Sequence, residues 1–167
     1  TQIAMLTVEA AIELVMEQHD LRPDYTAGLS LGEYGALIAS KALDLADAFR
    51  VIRKRGIYMQ EAVPTGGAMA AVLGLPADAV EKACEQTEGI VSVANYNCPG
   101  QIVITGEQAA VEKAGEACKT AGAKRIMPLK VSGPFHSKML EDAGAKLAKE
   151  LECVQFRSIE VPYVTNV

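Results

Sequence analysis

The ten residues 25–34, Tyr-Thr-Ala-Gly-Leu-Ser-Leu-Gly-Glu-Tyr, constrain this chain more than any other stretch. They predict a short strand, a Gly-x-Ser-x-Gly turn and a helix, which is the pattern of a nucleophile elbow centred on Ser30. We expect a side chain at Gly28 or at Gly32 to collide with the neighbouring strand or helix as the turn closes. The helix that follows directs free N–H groups and its positive end towards charge that develops near Ser30. The alternative is a Gly-rich turn that only packs, with Ser30 as the helix N-cap.

Size and composition exclude several classes of protein. The chain has 167 residues, of which 50% are hydrophobic, so it is long enough for one domain or one and a half with a substantial core. Its net charge of −5 is built from mixed signs, which argues against nucleic acid as the main partner. No apolar run approaches the length of a membrane span and no signal peptide is apparent, so we expect no membrane association and a cytoplasmic location.

The cysteines at positions 84, 98, 118 and 153 are scattered through the chain. They form no Cys-x-x-Cys pair, and no histidine lies near them at the spacing of a metal site. We therefore expect reduced thiols and no metal ion.

Periodicity divides the chain into three segments. In residues 1–66, helical spacing predicts helices over 3–19, 31–40 and 45–63, the last capped by Asp44. Residues 132–167 contain a loop, a helix over 137–151 and a final strand at 161–164. We expect both segments to belong to one larger α/β domain.

The middle segment, residues 67–131, predicts an inserted small subdomain. Its strands are expected at 68–75, 90–96, 101–105 and 123–131, its helices at 77–88 and 107–121, and a turn at 97–100. The order β-α-β-β-α-β is that of a ferredoxin-like fold, a four-stranded antiparallel sheet with both helices on one face. The predicted fold class is therefore α/β, with a βαββαβ insert.

Arg55 is the charged residue whose position is least expected. Continuing the apolar face of its helix from Ile52 by three or four places leads to Arg55 and Gly56. A core-facing arginine needs an anion, because an unpaired buried charge is costly. The anion can be Glu33 of the elbow helix or a ligand carboxylate held by two hydrogen bonds, and Gly56 favours the ligand by allowing close approach.

The chain has two histidines. His19 ends a predicted surface helix and is expected to be solvated. His136 follows a Gly-Pro turn in a loop before a helix, and loops at such edges commonly carry function. A serine nucleophile needs a base within hydrogen-bonding reach, so His136 is the candidate base for Ser30. The alternative is an ordinary neighbour of a helix cap.

Five segments together resemble the malonyl-CoA:acyl carrier protein transacylases and the acyltransferase domains of fatty acid and polyketide synthases. The resemblance covers nearly the whole chain and is far more specific than the elbow alone. Its segments are Gly-Leu-Ser-Leu-Gly-Glu-Tyr at 28–34, Arg-Gly with Met-Gln at 55–60, Asn-Cys-Pro-Gly-Gln at 97–101, Gly-Pro-Phe-His-Ser at 133–137 and Val-Thr-Asn-Val at 164–167.

The resemblance implies a role for individual residues. Ser30 is expected to take the malonyl group as an ester, and His136 to serve as its base and then as the acid for the leaving thiol. Arg55 is expected to bind the free carboxylate of malonate, and the Leu31 N–H to form half of the oxyanion hole. In this family, a phenylalanine beside the catalytic histidine, as at Phe135, is associated with specificity for malonyl rather than the bulkier methylmalonyl group.

The resemblance also implies a fold, substrates and partners. The fold is an α/β-hydrolase-like large subdomain, here in part, with the ferredoxin-like insert. Met59 and Asn97 are expected at the substrate site. Malonyl-CoA and acyl carrier protein are the expected partners, in fatty acid biosynthesis, with the coenzyme A thioester as substrate and no cofactor. A basic docking face is expected at Lys124, Arg125, Lys130 and Lys138, because acyl carrier proteins are acidic. The alternative is that these are scattered, solvated basic residues with no common role.

The chain departs from the family pattern in three ways. Leu29 stands where the family commonly has histidine. The family's N-terminal Gly-Gln-Gly turn, which supplies the other side of the oxyanion hole, and the C-terminal segment that orients the histidine are both missing. We therefore expect the chain to be the middle of a longer enzyme. Two other hypotheses stay open, a serine esterase or thioesterase that uses the same Ser30–His136 pair, and a non-catalytic fragment.

Overall fold

A computed structural model describes residues 1–131 and 133–166 of the chain. The chain divides into two compact units. The first unit comprises residues 1–58 and 146–167, and the second unit comprises residues 59–145. The helices are α1 Gln2–Gln18, α2 Gly32–Ala39, α3 Leu45–Ala62, α4 Ala77–Glu85, α5 Gln108–Thr120 and α6 Glu141–Glu152, with a 3-10 turn at Lys138–Leu140. The strands are β1 Thr26–Ala27, β2 Gly67–Leu73, β3 Val91–Cys98, β4 Gln101–Glu107, β5 Arg125–Pro128 and β6 Tyr163–Val164.

The first unit is mainly helical around a very short sheet. Strands β1 and β6 pair in parallel, with Thr26 opposite Tyr163 and Ala27 opposite Val164. The Asp44 carboxylate accepts from the Ala46 N–H at 2.9 Å, so it caps α3 as predicted. The apolar core of this unit is formed by Leu6, Leu43, Ala48, Val51, Ile52 and Val154.

The second unit contains a four-stranded antiparallel sheet in the order β3-β4-β2-β5. The chain order β2-α4-β3-β4-α5-β5 confirms the predicted sequence of elements. Both helices bury their apolar residues against one face of the sheet, where the core includes Ala70, Val72, Val80, Cys84, Ile102, Ile104, Val111 and Cys118. The opposite face carries a smaller cluster of Met69, Ala71 and Val103, against which Phe135 packs.

Three predicted strand boundaries in this sheet are wrong. Strand β3 continues to Cys98, so the hairpin turn contains only Pro99 and Gly100, and Gly100 has a φ of 79°. Strand β4 passes through Gly106, where a Cβ would lie 1.9 Å from the Ile90 oxygen, so this glycine marks a close approach within the sheet and not a strand end. Strand β5 is confined to Arg125–Pro128, shorter than the predicted strand over 123–131.

No helix within the described part of the chain is both long enough and apolar enough to cross a membrane.

Candidate active site

The elbow (residues 28–32) joins β1 to α2 and places Ser30 in the left-handed region, with a φ of 55°. Left-handed backbone is uncommon for a residue other than glycine, and it occurs often at functional turns. Gly28 makes this turn possible, because a Cβ there would lie 1.9 Å from the Gly32 oxygen. The strand–turn–helix context that the motif requires is therefore present.

The prediction for Gly32 is wrong. A Cβ at Gly32 meets no atom within 4 Å outside its own helix and its chain neighbours, in the residues that the structure describes. Among the described residues, close packing requires a glycine at position 28 but not at position 32.

Arg55 lies next to the candidate nucleophile. One terminal nitrogen of its guanidinium donates to the Ser30 Oγ at 2.9 Å, and the other donates to the Gln2 side-chain oxygen at 2.5 Å. Gln2, from the start of α1, also occupies the space beside Gly56, with its amide carbon 4.0 Å from where a Cβ would be. Arg55 is thus partly buried within the first unit, as its helical position predicted.

The charge on Arg55 is not paired with a carboxylate among residues 1–131 and 133–166. Burial lowers the pKa of the Arg55 guanidinium, and the nearby Tyr34 hydroxyl acts in the opposite direction. Burial likewise raises the pKa of Tyr34, which Arg55 partly offsets. A half-buried cation without a fixed anion is a suitable partner for a ligand carboxylate.

Glu33 bonds elsewhere. Its carboxylate accepts from the Tyr163 hydroxyl and from the Asn166 backbone N–H, both at 3.3 Å. The hypothesis of a Glu33–Arg55 ion pair is therefore wrong for this structure. The acidic residue in the first turn of α2 instead connects that helix to the segment after β6.

The backbone donors at the start of α2 are mostly occupied. The N–H groups of Gly32, Glu33 and Tyr34 donate to the carbonyls of Leu29, Ser30 and Leu31 at 2.9, 3.3 and 3.0 Å. The Leu31 N–H, by contrast, donates to no acceptor in the described part of the chain. It lies directly after Ser30 at the positive end of a helix, where a developing anion is stabilised.

The other predicted site residues belong to the second unit. His136 is exposed and has a φ of 61°, a second left-handed residue that is not glycine. It is followed by Ser137, whose hydroxyl accepts from the Met139 N–H at 3.0 Å and caps the 3-10 turn. Asn97 is exposed and its amide reaches the Gln101 side chain at 3.5 Å, while Met59 is partly buried. His19 is exposed at the end of α1, as predicted.

An apolar cavity of about 710 Å³ lies beside the elbow in the first unit. Residues of α1 and α2 line it together with Gly28, Leu29, Leu31 and Gly32, but neither Ser30 nor Arg55 faces it. The Ser30 and Arg55 side chains therefore do not line this cavity.

Two residues near Ser30 escaped the sequence reasoning. Gln2 lies one residue before the predicted first helix and carries no motif, whereas the observed α1 begins at Gln2. Asn166 accepts from the Ser30 N–H and donates to the Gly28 carbonyl through its side chain, each at 2.5 Å. The signal for Asn166 was available, because it lies in the Val-Thr-Asn-Val segment that carries part of the resemblance.

Comparison with known proteins identifies the class. The sequence profile of the acyl transferase domain matches residues 1–167, and the chain belongs to that family. The malonyl CoA-acyl carrier protein transacylase of Escherichia coli O157:H7 is 51% identical to it over 171 residues, and the Bacillus subtilis strain 168 protein of the same name is 48% identical over 170. These matches cover 100% and 99% of this chain but 55% and 54% of the two relatives, so the chain spans about half their length.

Solved structures agree with the family assignment. A malonyl-transacylase in complex with its type II polyketide synthase acyl-carrier protein superposes with a TM-score of 0.97 at 46% identity, covering 100% of this chain and 55% of that one. The crystal structure of the protein named MCAT from Streptococcus pneumoniae superposes with a TM-score of 0.96 at 50% identity, covering 100% of this chain and 56% of that one. The mixed α/β architecture of six helices and two sheets in the described residues is therefore that of this family.

Proposed function

We propose that the protein carrying this chain is a malonyltransferase of fatty acid biosynthesis. It moves the malonyl group from malonyl-CoA to the phosphopantetheine thiol of acyl carrier protein, through a malonyl ester of Ser30. The observation that carries the proposal is the Arg55 guanidinium, 2.9 Å from the Ser30 Oγ and without a carboxylate partner in the described residues. An acyl group that ends in a second carboxylate fits a nucleophile with an adjacent cation.

The reaction proceeds in two acyl transfers. The Ser30 Oγ attacks the thioester carbonyl carbon while its proton passes to His136, the carbon–sulfur bond breaks, and His136 returns the proton to the departing coenzyme A thiolate. The phosphopantetheine thiol then gives its proton to His136 and attacks the ester, and Ser30 recovers a proton as it leaves. No cofactor takes part in this scheme.

The Leu31 N–H supplies one donor to the oxyanion formed in both steps. This role is supported by the absence of a hydrogen bond from the Leu31 N–H to any acceptor in the described residues. A donor of this kind typically stabilises the transition state by about 3–4 kcal/mol. Leu31 directly precedes the first turn of α2, so Ser30 and its oxyanion donor are adjacent in one short segment.

Arg55 orients the acyl group. Binding of the malonyl carboxylate exchanges the guanidinium's bonds to Ser30 and Gln2 for a bidentate bond to the ligand, which also frees the Ser30 hydroxyl for attack. Because burial lowers the pKa of Arg55, an anion that enters the site stabilises its charged form. Fixing the far end of the acyl group also holds the ester carbonyl in one orientation for the attacking thiol.

Further assignments in this proposal come from the resemblance. His136 is the base, Phe135 favours malonyl over methylmalonyl, and Met59 and Asn97 contact the substrate. The subdomains are an α/β-hydrolase-like part at 1–66 and 132–167 and a ferredoxin-like insert at 67–131, in a cytoplasmic protein. Acyl carrier protein docks on exposed basic residues, namely Lys124, Arg125, Lys130 and Lys138.

The test compares malonyl with acetyl transfer in the full-length natural protein. Arg55→Ala should lower kcat/KM for malonyl-CoA by about 10- to 100-fold, the worth of a charge-assisted hydrogen bond pair, and should change acetyl transfer much less. Arg55→Lys keeps the charge but not the bidentate geometry, so its kcat/KM for malonyl-CoA should fall between those of the natural protein and Arg55→Ala. Equal losses for both acyl groups, or hydrolysis that outpaces transfer to carrier protein in the natural enzyme, would contradict the proposal and favour an esterase.

A further inference from the structure

The segment after β6 makes side-chain contacts with the elbow that none of the assigned roles uses. Strands β1 and β6 pair over only two residues each, and the ladder ends at Ala27 and Val164. Two residues further on, the Asn166 side chain reaches the elbow from the β6 side. Its amide oxygen accepts from the Ser30 N–H at 2.5 Å, and its amide nitrogen donates to the Gly28 carbonyl at 2.5 Å. We call these two hydrogen bonds the amide bridge.

The amide bridge holds the backbone on both sides of Leu29. The Gly28 carbonyl and the Ser30 N–H precede and follow that residue, so the bridge fixes the orientation of two successive peptide groups. Ser30 itself is left-handed, a conformation that costs about 1–3 kcal/mol in a residue other than glycine and persists only when its surroundings impose it. The amide bridge is a direct source of that constraint.

Glu33 fixes Asn166 in turn. The Asn166 backbone N–H and the Tyr163 hydroxyl both donate to one oxygen of the Glu33 carboxylate at 3.3 Å. Glu33 lies in the first turn of α2, where the helix dipole stabilises a negative charge. This first turn of α2 begins directly after Leu31. Asn166 is therefore bonded through its side chain to the Ser30 N–H and through its backbone N–H to the helix that follows the oxyanion donor.

We propose that Asn166 is a positioning residue for the acyl-transfer step at Ser30. It acts through the backbone and does not touch the substrate. By holding residues 28–30 in the left-handed turn, it keeps the Ser30 Oγ and the Leu31 N–H aimed at one reacting carbonyl. The Arg55 side chain, which comes from α3, binds independently of it. Loss of Asn166 therefore slows acylation and leaves substrate affinity nearly unchanged. This inference rests on the proposed function of Ser30.

The experiment uses the full-length natural protein and separates rate from affinity. Asn166→Ala should lower kcat for malonyl transfer by about 100-fold, the usual consequence of a nucleophile displaced by about 1 Å, with KM for malonyl-CoA changed less than about threefold. Tyr163→Phe removes only a bond to Glu33 and should cost less than Asn166→Ala. Gln108→Ala removes an exposed amide from α5 in the second unit, whose bond is to Glu112, and should leave kcat and KM unchanged.

Asn166→Asp provides a readout that a purely structural residue would not move. The ionised aspartate still accepts from the Ser30 N–H but cannot donate to the Gly28 carbonyl, whereas the protonated acid can do both. The ratio of its rate to that of the natural protein should therefore rise as the pH is lowered through the range in which this carboxyl protonates. A ratio that is independent of pH, or an Asn166→Ala variant with unchanged kcat, would overturn the inference.

A fluorophosphonate probe distinguishes this inference from the proposed function. The probe reacts with an activated serine whatever acyl group the enzyme transfers. If the natural protein labels at Ser30 with the probe but forms no malonyl ester, the malonyl proposal fails while the role of Asn166 is still tested by the labelling rate. Slow labelling of Asn166→Ala with an unchanged melting temperature supports the inference. Labelling as fast as in the natural protein contradicts it.

Discussion

The two units differ in how completely their apolar side chains are buried. In the second unit, two helices close over one face of a four-stranded sheet, and Val72, Val80 and Ile104 have no exposed surface. In the first unit, α1 and the residues leading to the elbow leave large apolar side chains in solvent, among them Met5, Val8, Ile12, Leu14, Val15, Leu21, Tyr25 and Leu29. The elbow lies in the less enclosed unit. Its shape is imposed by hydrogen bonds and one glycine contact, not by deep burial.

The same substitution at two isoleucines tests this contrast in stability. Ile104 is 0% exposed and Ile12 is 55% exposed. In the 167-residue chain, Ile104→Ala should lower the free energy of unfolding by about 2–5 kcal/mol because it leaves a cavity. Ile12→Ala should change it by less than about 0.5 kcal/mol. Chemical denaturation of both variants measures the difference, and equal losses would show that α1 is packed as tightly as the sheet.

A pair of glycine substitutions tests the elbow itself. Gly28→Ala places a methyl group against the Gly32 carbonyl and should destabilise the chain by about 1–3 kcal/mol, while it abolishes probe labelling of Ser30. Gly32→Ala, with open space around its Cβ, should keep both stability and labelling. Thermal melting and fluorophosphonate labelling supply the two readouts. If Gly28→Ala were as well tolerated as Gly32→Ala, the close approach at the elbow would be wrong.

A buried thiol makes the second unit sensitive to alkaline pH. Burial, with a smaller contribution from Cys118, raises the pKa of the Cys84 thiol from 9.0 to about 11. The unfolded chain therefore loses this proton at lower pH than the folded one, so stability should fall as the pH rises from about 9 to about 11, by at most about 1.4 kcal/mol per pH unit. Cys84→Ala should reduce this slope, and Cys153→Ala, at an exposed thiol, should leave it unchanged. Denaturant titrations across this pH range provide the measurement.

Patterns that depend on neighbouring residues were predictable from the sequence. The order of helices and strands, the Asp44 cap, the strand–turn–helix around Ser30 and the inward direction of Arg55 all follow from local spacing. Those features need only the period of a helix or the chemistry of a turn.

Features that depend on distant residues were not predictable in the same way. The β-strand partner of β1 is β6, far along the chain, and nothing in local periodicity places Asn166 against Ser30. Glu33 was one of two candidate anions for Arg55, but its carboxylate accepts instead from Tyr163 and Asn166, which lie far along the chain. The role of Gly106 was missed because the Ile90 carbonyl that approaches it comes from the residue before the neighbouring strand β3.

The proposed function requires that the hydroxyl of Ser30 carries the acyl group. The most direct measurement is to incubate the full-length natural protein with malonyl-CoA, quench it in acid, and map the added mass by digestion and tandem mass spectrometry. We expect one malonyl group on the peptide that contains residues 25–34, assigned to Ser30 and absent from Ser30→Ala. A malonyl group on any other residue, or no covalent adduct in a protein that still transfers malonate, would contradict it.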